Sequence, residues 1–293
     1  MKSVIVCVGT DLGVHVDGAK FGPKKLANEI KDNYEGEIIE FIQDDNIIKS
    51  TDKSDLCKNK TEVNKLNELV FNTIEKKIKD GYFPITLGGD HTVAIPSALA
   101  NCSKNKNIGI IWFDAHTDYN TFKTTITGNM HGLPLAAITG YDCISLREFF
   151  KKNTIDPKNT VVVGARSIDD MELVNLKDAG VTVFSTEDIK KEGVRKITEK
   201  AFEIAGHNTN GIHISYDLDL IDPTIAPGVS VPEINGINKE EALEICNIII
   251  DNFNKVTAFD LVEFNPLKDI NNKTEHIALD ILNKVINKIE KIK

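Results

Sequence analysis

Cysteine is sparse and scattered in this chain. Cys7, Cys57, Cys102, Cys143 and Cys246 form an odd-numbered set without a CxxC pair, which argues against a disulfide framework or a thiolate zinc site and leaves reduced packing residues as the expectation. No uninterrupted apolar run approaches the ~20 residues of a membrane-spanning helix. The opening stretch, MKSVIVCVGTDLG, turns polar too soon to read as a secretory signal, so the cytoplasm is the expected location and no membrane partner is expected. An excess of basic charge is also missing. The 35 Lys and Arg face 44 Asp and Glu, a formal charge of -9, which disfavours a broad nucleic-acid surface but leaves room for a local pocket that binds an anionic group. Neither a repeated unit nor a low-complexity tail is found.

What is present is an alternation of two patterns. SVIVCVG, FPITLGG, IGIIWFD, TVVVGAR, VTVFS, GIHISYD and KVTAFDLVEF are short β-prone runs with polar or turn residues near their ends. Between and after them lie GPKKLANEIKDN, TEVNKLNELVFNTIEKKIKDG, DDMELVNLKDAG, TEDIKKEGVRKITEKAFEIAG, NKEEALEICNIIIDNF and TEHIALDILNKVINKIEKIK, which mix charged and apolar residues at helical spacings. This order predicts an α/β fold of three layers, a mostly parallel central sheet with helices on both sides. Residues 43–61 are a polar excursion. No break separates two plausible cores, so one domain over residues 1–293 is expected.

Four polar clusters follow β-prone runs: GGDH at 88–91, DAHTD at 114–118, DLD at 217–219 and the acidic residue of DLVEFNP at 260–266. In open α/β sheets the carboxyl edge gathers such loops on a rigid base. Asp114, His116 and Asp118 alternate by two, as do Asp217 and Asp219, so each set can face one way on a strand or converge through a loop. If the clusters meet, His91, Asp114, His116, Asp118, Asp217 and Asp219 bring two imidazoles and four carboxylates together. That donor set suits a pair of hard or borderline divalent ions, Mn²⁺ in particular, rather than structural zinc. Two such ions could hold a hydroxide between them and provide a nucleophile without a serine or cysteine intermediate. Taken singly, each cluster reads more readily as a solvated turn than as a metal site.

The ordered motifs DLGVHVDGAKFGP, LGGDHT, DAHTDYNT, GNMHGLP, GARSIDDME, SYDLDLIDP and DLVEFNP resemble those of the arginase and agmatinase superfamily of ureohydrolases over most of the chain. The resemblance implies a binuclear manganese centre in one α/β domain, with His91, Asp114, His116, Asp118, Asp217 and Asp219 as ligands of two Mn²⁺ ions and with Asp114 and Asp217 as the bridging carboxylates. It also implies a homo-oligomer, a trimer or hexamer. Thr92 stands where relatives often carry serine, which keeps a hydroxyl.

Within the superfamily, DYNTFKTTITGNMHGLPLA is similar to the arginase segment that recognises an amino acid. Asn120, Thr127 and Asn129 match positions that bind the substrate α-carboxylate, and agmatine has no such group. Asp169 matches an acidic position that recognises the α-amino group; by local sequence, Asp169 and Asp170 also read as caps of the following helix. His131 resembles a proton-shuttling histidine, though NMHGLP also reads as a turn before a helix that starts at Pro134. Glu263 resembles the glutamate that holds the guanidinium, and Asp260 belongs to its local network. With the ligand Asp118, His131 and Glu263 make up the implied catalytic group. The implied reaction is hydrolysis of L-arginine to L-ornithine and urea. Two departures keep agmatine, other guanidino compounds and a non-catalytic metal-binding role open as alternatives: Ser167 replaces an acidic residue, and Val231 replaces a threonine whose hydroxyl valine cannot supply.

Overall fold

Runs of Val, Ile, Leu and Phe with no polar face demand burial on both sides, and a parallel sheet between two helix layers provides it. The computed structural model describes residues 1–52, 54–141 and 153–292. In it, the strands β1 (Ser3–Gly9), β2 (Glu37–Ile42), β3 (Phe83–Gly88), β4 (Gly109–Phe113), β5 (Thr160–Ala165), β6 (Thr182–Ser185), β7 (Ile212–Asp217) and β8 (Val256–Val262) form one sheet in the order β2-β1-β3-β8-β7-β4-β5-β6. Every pairing within that sheet is parallel. All residues of β1, β3, β4, β5 and β7 are buried. The expected α/β/α architecture is what the chain adopts.

The helices are α1 (Gly22–Ile30), α2 (Lys60–Lys79), α3 (Ala94–Asn105), α4 (Pro134–Thr139), α5 (Asp170–Ala179), α6 (Thr186–Glu192), α7 (Val194–Ala205), α8 (Lys239–Asp251) and α9 (Lys273–Lys291). On α2, Val63, Leu66, Val70, Ile74 and Ile78 recur at three- and four-residue steps and are buried, each such side chain stabilising the packed layer by roughly 1.5–3 kcal/mol. Ile74→Ala, at a fully buried position, should therefore cost about 2–5 kcal/mol.

Three elements depart from the sequence expectation. β2, EIIEFI, reads poorly as a strand because Glu37 and Glu40 interrupt it; it is an edge strand with partly exposed residues, and charge there discourages pairing with another chain. α3, AIPSALANCSKN, is buried from Ala94 to Cys102, so it carries no polar stripe to announce a helix. Pro96 is tolerated because N–H groups in the first turn have no intrahelical acceptor. TEDIKKEGVRKITEKAFEIAG is two helices, parted at Gly193, whose φ of +90° suits glycine.

Cys7, Cys102 and Cys246 are buried and Cys57 is half-buried, all four free. Burial, as the leading cause, pushes the thiols of Cys7, Cys57 and Cys246 up to about 12, which keeps them protonated packing groups. Cys143 lies outside the described residues. No helix among the described residues is long and apolar enough to cross a membrane.

Candidate metal centre

Sheet order brings residues far apart in sequence to one place. The four central strands β3, β8, β7 and β4 are neighbours, and their carboxyl ends lead into His91, Glu263, Asp217 and Asp114 respectively. Gly89 makes the turn after β3 possible: a Cβ there would sit 1.8 Å from the Thr10 carbonyl oxygen. β4 ends at Phe113, so Asp114, His116 and Asp118 converge through a loop rather than along a strand face. Asp118 takes the left-handed conformation, with φ of +49°.

Asp114 stands between two histidines. Its Oδ2 lies 3.1 Å from His91 Nδ1 and its Oδ1 3.4 Å from His116 Nδ1. On one side, Asp118 and Asp217 come within 3.3 and 3.0 Å of His91 Nδ1; on the other, Asp219 lies 3.0 Å from His116 Nδ1. Two groups able to hold a cation result, His91/Asp114/Asp118 and Asp114/His116/Asp219, and they share Asp114. Asp217 adds a carboxylate beside His91.

Backbone and indole donors fix these carboxylates. Trp112 Nε1 donates to Asp114 Oδ2 at 2.8 Å, the His116 N–H to Asp114 Oδ1 at 2.6 Å, the Ala115 N–H to Asp219 Oδ1 at 3.2 Å and the Asp219 N–H to Asp217 Oδ1 at 2.7 Å. The His91 ring stacks on Trp112 with centroids 3.9 Å apart and shares a 2.9 Å hydrogen bond through Nε2 with Ser215 Oγ. Thr86, Asp260, Ser215 and Trp112 form one register row across β3, β8, β7 and β4, a polar layer under the centre. Asp260 accepts from Ser97 at 2.6 Å and pairs with His213 at 2.7 Å, which gives it a supporting position in the sheet.

The electrostatics point to a cation. His91 Nδ1 is buried, has no hydrogen-bond partner among the described residues, and faces three carboxylates. Burial, followed by the charge of Asp114, pushes Asp118 and Asp219 up, Asp118 well above the ordinary carboxylate range. Asp217 is also pushed well above it, by burial and then by Asp219 and Asp114. Burial is the largest single influence and opposes charge on both histidines, but the carboxylates of Asp114, Asp118 and Glu263 together outweigh it at His91, and those of Asp219, Asp114 and Glu233 at His116, so both imidazoles are raised. Asp114 alone is held below the usual range: burial opposes its charge and the histidines prevail. Burial thus disfavours the negative charge gathered here unless a cation offsets it, and this oxygen-rich, nitrogen-containing donor set fits a dinuclear centre of divalent ions.

Beside the centre lies a cavity of about 200 Å³ whose lining includes His116, Asp118, His131, Val231 and Glu233. Asn120, Thr127, Asn129, Ser167 and Asp169 line it too. Asn120 donates from Nδ2 to Asp169 Oδ2 at 3.0 Å. Asp169 is also the N-cap of α5, in a capping box with Glu172, so its cap and pocket positions coincide. Asn129 shares a 3.0 Å hydrogen bond with His15. His15, from the DLGVHVDG motif, lines the cavity as well; burial and then the charge of His131 lower its pKa. Its sequence motif assigned it no role.

Glu263 leaves β8 with a φ of +65°, a left-handed backbone unusual for a residue with a long side chain. KVTAFDLVEF is therefore a strand only to Val262. The Glu263 N–H donates to the Gly89 carbonyl at 2.8 Å and its Oε1 accepts the His91 N–H at 2.9 Å. His131 Nδ1 lies 3.3 Å from the same oxygen. Oε2 is buried without a partner among the described residues. Trp112, Ser215 and His15 carry positions that the motifs did not single out; only sheet register and loop packing bring them to the site.

The Arginase family model matches residues 1–287. The chain is 33% identical to the arginase of Bacillus subtilis over 98% of its own length and 99% of the relative's. It superposes on the arginase of Bacillus caldovelox with a TM-score of 0.89 at 29% identity, and on an arginase from Entamoeba histolytica solved with L-ornithine with a TM-score of 0.88 at 27% identity; each covers at least 97% of both chains. With this match over nearly the whole sequence and a dinuclear His/Asp site at the sheet edge, the chain is a hydrolase of the amidine-cleaving type and belongs to the arginase family.

Proposed function

We propose that the protein hydrolyses the guanidino group of L-arginine to L-ornithine and urea with two Mn²⁺ ions per subunit. His91, Asp114, His116, Asp118, Asp217 and Asp219 would hold the ions, Asp114 and Asp217 between them. When bound, the ions would supply positive charge that activates water against the guanidinium carbon and stabilises the charge that develops.

The observation that carries arginine as substrate is the Asn120–Asp169 pair. An amide N–H donor and a carboxylate acceptor stand side by side on the cavity wall, 3.0 Å apart, a match for the adjacent carboxylate and ammonium of an α-amino acid. Thr127 and Asn129 add polar groups for the carboxylate. Oε2 of Glu263, which has no partner among the described residues, accepts from the planar guanidinium and aligns it. His131, half-buried and next to Glu263, carries a proton between the leaving nitrogen and solvent. The similar Entamoeba histolytica arginase was solved with L-ornithine, the product this reaction would release.

A second reading, an agmatine or other guanidino hydrolase, is favoured by Val231, an apolar residue in the cavity lining. Urea release from L-arginine, agmatine and guanidino acids by the Mn²⁺-loaded protein decides between them. Preference for L-arginine by about tenfold or more in kcat/KM, the worth of one good polar contact, is expected; turnover of agmatine with none of L-arginine would reverse the assignment. A single domain over residues 1–293, a cytoplasmic location and a trimer or hexamer complete the proposal, and limited proteolysis, cell fractionation and light scattering test them in turn.

A further inference from the structure

A ligating histidine is oriented by what its other ring nitrogen meets. An outer carboxylate fixes the tautomer and makes the ligand nitrogen more basic. His91 has Ser215 in that place. His116 turns Nδ1 inward to Asp114 and Asp219, and its Nε2 points out of the cluster to Glu233, 3.7 Å from Oε1. Both side chains are largely covered, at 21% and 33% exposure. A closure of about 0.5 Å completes a hydrogen bond, and such contacts commonly tighten once a site is filled.

Two further observations place Glu233 there by construction. The first is Arg166, whose guanidinium donates to the carbonyls of Glu233 at 2.9 Å, Ile234 at 3.0 Å and Asp219 at 2.7 Å. One rigid fork thus ties the 231–236 loop to the end of β7. The second is Ser167, next in the chain, which lines the same cavity as Glu233 and His116 and helps to hold the Glu233 carboxylate below its ordinary range, after the larger effect of His116. Ser167 stands where the resemblance calls for an acidic residue. The cavity wall that position 167 leaves without a carboxylate thus receives one from the 231–236 loop.

We propose that Glu233 is the positioning residue of His116, supplying from the 231–236 loop the outer carboxylate that Ser167 does not. This rests on the dinuclear reading of the site. Its consequence is selective: the ion held by His116 and Asp219 depends on Glu233, and the ion beside His91 does not.

Calorimetric titration of the metal-free full chain with Mn²⁺ tests it. Wild type should take up two ions. E233Q, with the unfolding temperature of its metal-free form unchanged, should bind one of them about 10–100-fold more weakly and the other as wild type does. S167D/E233Q should recover most of the loss, because a carboxylate again faces Nε2. Two wild-type ions with unaltered affinities in E233Q, even with a changed KM, would overturn the inference and leave the function standing. Loss without recovery in S167D/E233Q would overturn the exchange between the two positions. A wild-type chain that binds no Mn²⁺ would remove both the inference and the function on which it rests.

Discussion

His91, Asp114, Asp217 and Asp219 lie within three residues of strand ends and are 1–3% exposed, whereas His131, on the single 3-10 turn Met130–Gly132, and Ser167, Asp169, Val231 and Glu233, on loops, are all partly open. The first set forms a floor in which each carboxylate has a backbone or indole donor, or a histidine facing it. Displacement of any one would leave buried charge uncompensated, at a cost of several kcal/mol. The second set is a rim whose members meet water as well as each other, so a residue there can be exchanged, or its carboxylate moved from one loop to another, at small cost. The floor is thus costly to alter, and the rim is where substitution is cheap.

The sharpest way to break this contrast is at the floor. D114N removes the carboxylate shared by both cation groups, and urea production should fall by more than about 100-fold, since even outer partners of a ligand are worth 10–100-fold. Metal analysis of the same variant should find fewer than two Mn²⁺; retention of both ions with full activity would contradict the shared role of Asp114.

Metal removal comes next. Each ion at a hundredfold excess over its Kd stabilises the fold by about 2.7 kcal/mol, and this should depend on pH. Asp118, Asp217 and Asp219 have raised folded-state pKa values, so the metal-free fold loses stability as pH climbs above the ordinary aspartate value of 3.8. His91 and His116 are raised from 6.5, a contribution present below that pH and lost as it rises through their folded values. Asp114 is depressed, so its contribution is constant above pH 4. The unfolding temperature of the metal-free protein should thus fall between pH 5.5 and 8 while the shift produced by Mn²⁺ grows. A shift that shrinks with rising pH would reverse the sign of this argument.

Glu263 joins floor to rim. E263Q keeps its shape but weakens a charge-assisted bond of about 1.5–3 kcal/mol, so kcat/KM for L-arginine should drop roughly 10–100-fold, with two Mn²⁺ still bound. Steady-state kinetics beside metal analysis would expose a failure if the ions were lost as well. Smallest is V231T on the rim. One added hydroxyl at the cavity wall should raise kcat/KM for L-arginine by no more than about tenfold, the worth of one hydrogen bond near 1 kcal/mol. A hundredfold gain would mean that the rim, not the floor, limits the reaction.

The same contrast explains what the sequence made legible. Seven strands announce themselves as apolar runs, and the polar clusters behind them are the residues the structure draws together, because strand-end position is a local property. β2 is hidden by Glu37 and Glu40, and α3 by its lack of a polar face. That Asp114 faces both histidines depends on the strand order β8-β7 lying between β3 and β4, which no local pattern encodes. Trp112 and Ser215 look like ordinary strand residues until register places them under His91. Glu233, in the irregular loop VPEING, acquires meaning only through Arg166 and His116. For Asp169 the two local readings, helix cap and pocket wall, are both met by one position, so choosing between them was unnecessary.

The central claim is that distant strand ends enclose two divalent ions around Asp114 and Asp217. Anomalous diffraction at the manganese edge from crystals grown with Mn²⁺ tests it most directly. Two peaks are predicted, one enclosed by His91 and Asp118, the other by His116 and Asp219, with Asp114 and Asp217 between them; a single peak, or peaks away from these side chains, would contradict the account.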